Sequence, residues 1–352
     1  MNEFITLAHG GGGQQTNELI SQVFKAHFQS PLLTPDDAAV LPFEGERLAF
    51  TTDGFVVSPA FFAGGNIGKL SICGTVNDLA CMGAKPLYIT CSFIIEEGFT
   101  IADLQRIASS MAETARESGA EIVAGDTKVV AKGQCDGVYI TTSGVGKVTD
   151  GVKTGGGLVQ AGDAIIVTGD IGRHGAAVLV SRGLYEISAD IESDCAPLWG
   201  LVETLISSTK EIHCIRDCTR GGVATVLYEI AHQSEVCIEI EQDSIPVCEP
   251  VNGICGLLGL EPLYLACEGR MVIFVPQNEA ENALAVLRSH EYGKDACIIG
   301  RVVDDSTATD KGTVINSNTF ANRKAGRVII KTHIGGKRLL APPTGELLPR
   351  IC

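Results

Sequence analysis

Apolar positions along this chain fall into short blocks whose spacing switches repeatedly between a strand-like period of two and a helical period. "ERLAFTTDG" (46–54) alternates as a strand ending at Asp53, and "NIGKLSICGTVNDLACMGAKP" (66–86) predicts a helix halted by Gly83 and Pro86. In "TIADLQRIASSMAETARESG" (100–119) Leu104, Ile107, Ala108, Met111, Ala112 and Ala115 recur at helical spacing. Thr100 and Asp103 supply a capping box there, and Gly119 the stop. "AEIVAGDTK" reads as a short buried strand running into a loop, and "DGVYITTSGVGKV" as another strand.

The segment "KTGGGLVQAGD" (153–163) gathers glycine and loses periodicity, which places a domain boundary there. Beyond it the alternation resumes: strand "AIIVTGD", helices "HGAAVLVSRG" and "PLWGLVETLISS", loop "RDCTRGG", helix "VATVLYEIAHQ", strands "VCIEIE" and "RMVIFVP", helix "ENALAVLRSH" and strand "ACIIGRVV". The expected organisation is α+β in two domains, 1–155 and 156–331. A tail over 332–352, rich in Gly and Pro, is expected to be mobile. The chain's length of 352 residues agrees with two domains of ordinary size.

Hydrophobic residues make up 45% and charged residues 20%, with no apolar run of membrane-spanning length, so no membrane partner is expected. The start "MNEFITLAHGGGGQQ" lacks the features of a secretory signal, pointing to the cytoplasm. Thirteen cysteines then read as reduced, mostly buried thiols. Without any C-x-x-C, a zinc or iron-sulfur site is unsupported. A net charge of -15 argues against nucleic acid, so a phosphate ligand must be held locally by amides or cations.

Two kinds of feature could do so. Asp36, Asp37, Asp53, Asp78, Asp126 and Asp217 sit at expected loop or turn positions. Acids converging there would repel one another unless a divalent cation such as Mg2+ joined them. Each is equally at home capping a helix or opening a turn. Gly10, Gly11, Gly12 and Gly13 precede a predicted helix, and Gly221 and Gly222 open another, so their amides could approach an anion; a flexible arm or plain turns would explain them as well. Neither run is a P-loop, and "GGNIGKLS" fails at Leu70 after Lys69. Serine-hydrolase and zinc-hydrolase motifs are absent, and the seven histidines lie apart. Cys352 stands out as a thiol at the last position, its reactivity depending on where the tail docks.

Taken in order, "DDAAV", "TTDGF", "GTVNDLACMGAKP", "AGDTKVV" and "RDCTRGGVATVLYEIA" resemble the ATP-binding superfamily of aminoimidazole ribonucleotide synthetase, selenophosphate synthetase and thiamine-monophosphate kinase, over nearly the whole chain. Within it, "HGGGG", "AGGNIGKL", "ACEGR" and the closing "PRIC" resemble the HypE family of hydrogenase maturation proteins. The resemblance implies a PurM-like fold whose N-terminal sheet pairs with its copy in a homodimer to close a barrel, with helices on one face of the second sheet. It implies that a carbamoyltransferase, HypF, loads Cys352 and that ATP drives dehydration of the thiocarboxamide to a thiocyanate. HypC and HypD then receive the cyanide ligand for [NiFe] hydrogenase. Asp37, Asp53, Asp78, Asp126 and Asp217 would hold Mg2+, with Asp36 left as an alternative to Asp37. The nucleotide would meet Gly10 to Gly13, Lys69, Asp78, Thr127, Gly221 and Gly222, and Lys128 and Glu268 would handle protons. A lysine needs desolvation or cationic neighbours to act as a base, so charge stabilisation is its alternative role. For Glu268, pairing with Arg270 is the plain alternative. A sibling kinase would not need Cys352, and a selenophosphate synthetase would want a cysteine before Cys73.

Overall fold

The computed structural model describes residues 14–19, 21–22, 36–183, 186–304, 326–341, 348 and 350–352. Gly10 to Gly13, Pro342, Pro343 and Pro349 lie outside them. After α1 (Gln14–Leu19), the strands β1 (Ala39–Phe43), β2 (Glu46–Phe55), β5 (Ala84–Glu96), β6 (Glu121–Val130) and β7 (Val138–Val148) form a sheet in the order β1-β2-β7-β5-β6. The β5–β6 pair is parallel and the others antiparallel. A small hairpin, β3 (Phe61–Phe62) with β4 (Gly65–Asn66), leads into α2 (Ile67–Cys81). Asn66 caps that helix, its side chain accepting from the amides of Gly68 at 2.8 Å and Lys69 at 3.2 Å. The helix is apolar nearly all round because it is enclosed on every side: by the sheet, by α3 (Ile101–Ser118) and by the second half of the chain.

The second sheet contains β8 (Asp163–Val167), β9 (Cys214–Asp217), β10 (Cys237–Glu241), β11 (Met271–Pro276), β12 (Cys297–Val303), β13 (Arg327–Lys331) and β14 (Lys337–Leu339), in the order β14-β13-β10-β12-β8-β11-β9. Five helices pack around it: α4 (Arg173–Ser181), α5 (Trp199–Ser208), α6 (Gly222–Gln233), α7 (Glu249–Leu258) and α8 (Ala280–Ser289). Ile165, Val167, Val272 and Phe274 face α6, whereas Ile166, Ile273 and Val275 face α5 and α8. Helices therefore cover both faces of this sheet rather than one. That is why β8 is buried at every position and reads as a continuous apolar run. Ile67, Leu70 and Val76 of α2 share a core with Leu198, Trp199 and Leu201, so the two halves are joined through that helix.

Several expectations need correction. The helix ends at Cys81, and Pro86 lies inside β5, where the register shifts between Pro86 and Tyr88; the bulge accommodates the missing amide donor. β6 is neither short nor buried. It is an exposed edge strand of ten residues running through Asp126 and Lys128. The region after 332 is not simply a loose tail, because β14 pairs antiparallel with β13. The capping of α3 by Thr100 (3.0 Å to the Asp103 amide) and its left-handed stop at Gly119 agree with expectation.

Candidate active site

Only Asp36 and Asp37 occupy a bend; the other acids sit on regular elements, Asp53 on β2, Asp78 on α2, Asp126 on β6 and Asp217 at the end of β9. The fold brings one ligand oxygen each of Asp37, Asp78 and Asp217 within 4.8 Å of one another. Asp53 lies close enough for its charge to raise Asp78 further, and the Thr51 hydroxyl donates to Asp78 Oδ2 at 2.5 Å. Burial raises the pKa of Asp37 to about 6, despite the opposing charge of Arg216. Burial, then mutual repulsion, pushes Asp78 and Asp217 well above the carboxylate range. Arg216 Nε stands 2.8 Å from Asp37 Oδ2, but the N–H is not aimed at it, and that buried oxygen accepts no hydrogen bond. An all-oxygen donor set, crowded and mutually repelling, fits a hard divalent cation. Asp36 is engaged elsewhere, its Oδ1 accepting from the Gly156 amide and from Gln233 Nε2, each at 3.1 Å.

Next to this cluster lies the end of the chain. Val56 N donates to Cys352 O and Ser58 N to Arg350 O, both at 3.1 Å, so residues 350–352 lie along 56–58 like an added strand. Arg182 Nη2 donates to Arg350 O at 2.9 Å, and the Arg350 guanidinium pairs with Asp136 and with Val56 O. Ile351 is buried in the core. The thiol of Cys352 is pushed far up by burial, the negative charge of Glu268 adding to the rise and Arg220 partly offsetting it. Glu268 is itself only 2% exposed, its Oε1 has no hydrogen-bond partner, and burial raises its pKa well above normal. Arg270 does not pair with it. Arg270 Nη2 is bound 2.9 Å away to Asp170, while Asp194 accepts from the amides of Glu268 and Gly269 at 3.3 Å each. A buried carboxyl and a thiol are thus placed together beside an acid cluster.

Other expected residues are not brought here. Asp126 and Lys128 are exposed, pair with each other, and share the face of Ser92 and Ile94, opposite α2. β6 is also three strands removed from β2, roughly 14 Å at the usual strand spacing. Thr127 follows on the same edge strand. Lys69 occupies the first turn of α2, roughly 13 Å along the axis from Asp78, and its Nζ reaches Gly64 O. The Gly222 amide is spent on Thr219 O at 2.9 Å, so it is not free for a phosphate. Both Gly221 and Gly222 have positive φ, and a Cβ on Gly222 would lie 2.5 Å from the carbonyls of Leu263 and Leu265.

Two family models described as AIR synthase related protein match the chain, the N-terminal domain at residues 35–148 and the C-terminal domain at 160–311. Carbamoyl dehydratase HypE of Rhodobacter capsulatus is 46% identical over 355 residues, covering 100% of this chain and 99% of the relative. The chain belongs to the HypE family. A solved HypE in complex with ATP is 43% identical with a TM-score of 0.81, covering 99% of this chain and 100% of that one. HypE within a HypE–HypF complex is 44% identical with a TM-score of 0.83, covering 92% and 99%.

In this HypE-family chain, sequence reasoning passes over residues that hold the site in place. Asn77, 2% exposed, donates to Ala196 O at 3.1 Å and Glu268 O at 3.3 Å and accepts from Leu198 N at 2.7 Å. Its signal was available: Asn77 and Asp78 are adjacent polar residues in a helix that is buried nearly throughout. His174 and Asp194 carry no such mark.

Proposed function

We propose that this chain, as an ATP-dependent carbamoyl dehydratase, works on a carbamoyl group carried by its own Cys352, converting the thiocarboxamide to a thiocyanate that supplies the cyanide ligand of [NiFe] hydrogenase. The observation that carries this reading is the Cys352 thiol folded back beside the acid cluster and the buried carboxyl of Glu268, whose Oε1 has no hydrogen-bond partner.

An amide oxygen leaves poorly, whereas transfer of the γ-phosphoryl group of ATP to it creates a phosphate leaving group. Loss of the N–H protons as phosphate departs then closes the C≡N bond. Glu268 suits the role of proton acceptor: desolvation makes its carboxylate more basic, and Asp194, Asn77 and the Arg270–Asp170 pair fix its loop without consuming its oxygens. Asp37, Asp78 and Asp217, with Asp53 beside them, would hold Mg2+, which supplies charge neutralisation at the triphosphate. A docked thiol held protonated by burial is a poor nucleophile, so loading by HypF requires residues 350–352 to leave the groove, and delivery to HypC and HypD requires it again.

A homodimer belongs to the same reading. Phe50, Tyr88 and Ile94 are exposed apolar side chains on the outer face of the first sheet, and β6 is an open edge. A second copy laid on that face would cover them and close the barrel. Asp126, Thr127 and Lys128 meet the nucleotide only as part of such an interface.

The test is to load the protein with the carbamoyltransferase, remove nucleotide, add ATP with Mg2+ back and weigh the C-terminal peptide. Loss of water that depends on this second addition supports the reading. An unloaded peptide, or an adduct that ATP leaves intact, removes it.

A further inference from the structure

We propose that His174 is a positioning residue for the reaction, the donor that locks the peptide carbonyl before Cys352 and so aims the thiol at Glu268. The inference rests on the dehydratase reading for its purpose, but not for its geometry.

His174 is fully buried at the start of α4, and its Nε2 lies 2.7 Å from Ile351 O. A carbonyl oxygen can only accept, so Nε2 carries the hydrogen. Burial lowers the pKa of the ring and keeps it neutral, which leaves Nδ1 bare as an acceptor. The Ser193 hydroxyl, 2.8 Å away, is the donor to that nitrogen, and Ser193 Oγ in turn accepts the Cys195 amide at 3.1 Å. Ser193 therefore fixes the tautomer that the tail needs. Phe62 stands edge-on to the imidazole at 5.2 Å and 89°, holding the plane of the ring.

The main-chain oxygens of residues 350–352 are all engaged, and they alternate in direction. Those of Arg350 and Cys352 accept from Ser58 and Val56, while that of Ile351 turns the other way to His174. Removing the donor on one side leaves a buried carbonyl unpaired and the 351–352 peptide free to rotate, although the opposite bonds remain. His174 makes no contact with the acid cluster among the hydrogen bonds of the described residues. Its loss should change how often the thiol is seated and not how nucleotide binds.

Three variants separate this from a merely structural histidine. His174→Phe keeps the ring and removes the donor; His174→Gln restores an N–H of comparable reach; Ser193→Ala releases the tautomer. Iodoacetamide labelling of Cys352 in the native protein is read by mass spectrometry on the peptide that follows Glu346. His174→Phe should label about tenfold faster than the parent, the shift expected of one ordinary hydrogen bond, with His174→Gln near the parental rate and Ser193→Ala between. In loaded protein, His174→Phe should slow single-turnover dehydration while the ATP concentration for half-maximal rate stays the same. Parental labelling by a folded His174→Phe, or a His174→Gln as fast as the phenylalanine variant, would overturn the proposal. If His174→Phe does not fold, unchanged labelling in Ser193→Ala overturns it instead. Labelling that behaves as expected in a protein that never dehydrates its adduct would leave the docking role standing and defeat the dehydratase reading.

Discussion

Replacing Glu268 by Gln should abolish turnover without weakening the fold, a combination that a structural carboxylate cannot produce. Glu268 is 2% exposed with Oε1 unpaired, so Gln, of equal size, leaves the same number of unpartnered atoms and changes only the proton chemistry. Loss of a positioned base costs a factor of roughly 10^2 to 10^4, or about 3 to 5 kcal/mol of barrier. Stability should move the opposite way. Burial raises the folded pKa well above the ordinary 4.5, so between those two values the folded protein keeps a proton that the unfolded chain has released. Stability therefore falls as pH rises through that window, and Glu268→Gln removes this slope. Below about pH 4.5 parent and variant should unfold alike, and toward neutral pH the variant should be the more stable. Parent activity should rise with pH as the carboxyl ionises. Urea unfolding from pH 4 to 8, together with single-turnover dehydration of loaded protein, reads both arms. A Glu268→Gln protein that retains a tenth or more of the parental rate, or that is clearly less stable at neutral pH, would refute the argument.

Mg2+ alone should raise the melting temperature of the parent, more at pH 8 than at pH 5.5, because burial raises the pKa of Asp37 to about 6 and pushes Asp78 up as well; Asp78→Asn should be insensitive to the ion at either pH by differential scanning fluorimetry. Asn77→Leu strips partners from Leu198 N, Ala196 O and Glu268 O, and should cost roughly 2 to 5 kcal/mol in urea unfolding, with dehydration lost in step. Tyr88→Glu places a charge on the apolar outer face and should yield monomers in sedimentation velocity if that face pairs with its copy.

Where one face of an element was buried, the sequence revealed it: α3, with its Thr100 cap and Gly119 stop, follows its apolar spacing closely. β5 was hidden by Pro86, which ordinarily excludes a central strand and is admitted here by a bulge. The acids at 37, 78 and 217 were legible as candidates from their motifs, but nothing local could separate them from Asp126. Asp126 is set apart by the face of β6 that it occupies, a property of register across the whole sheet. Glu268 and Cys352 were legible from the motifs "ACEGR" and "PRIC". The surroundings that make one basic and the other inert were not, because Asn77, His174 and Asp194 act across more than seventy residues of sequence.

The groove along Val56–Ser58 has a consequence for chemical damage. Peroxide attacks thiolates, and the seated sulfur is kept as a thiol, so the resting acceptor is sheltered from overoxidation. Injury should therefore accumulate in proportion to the time residues 350–352 spend away from the groove, and a sulfinic acid at position 352 would record each protein caught outside it.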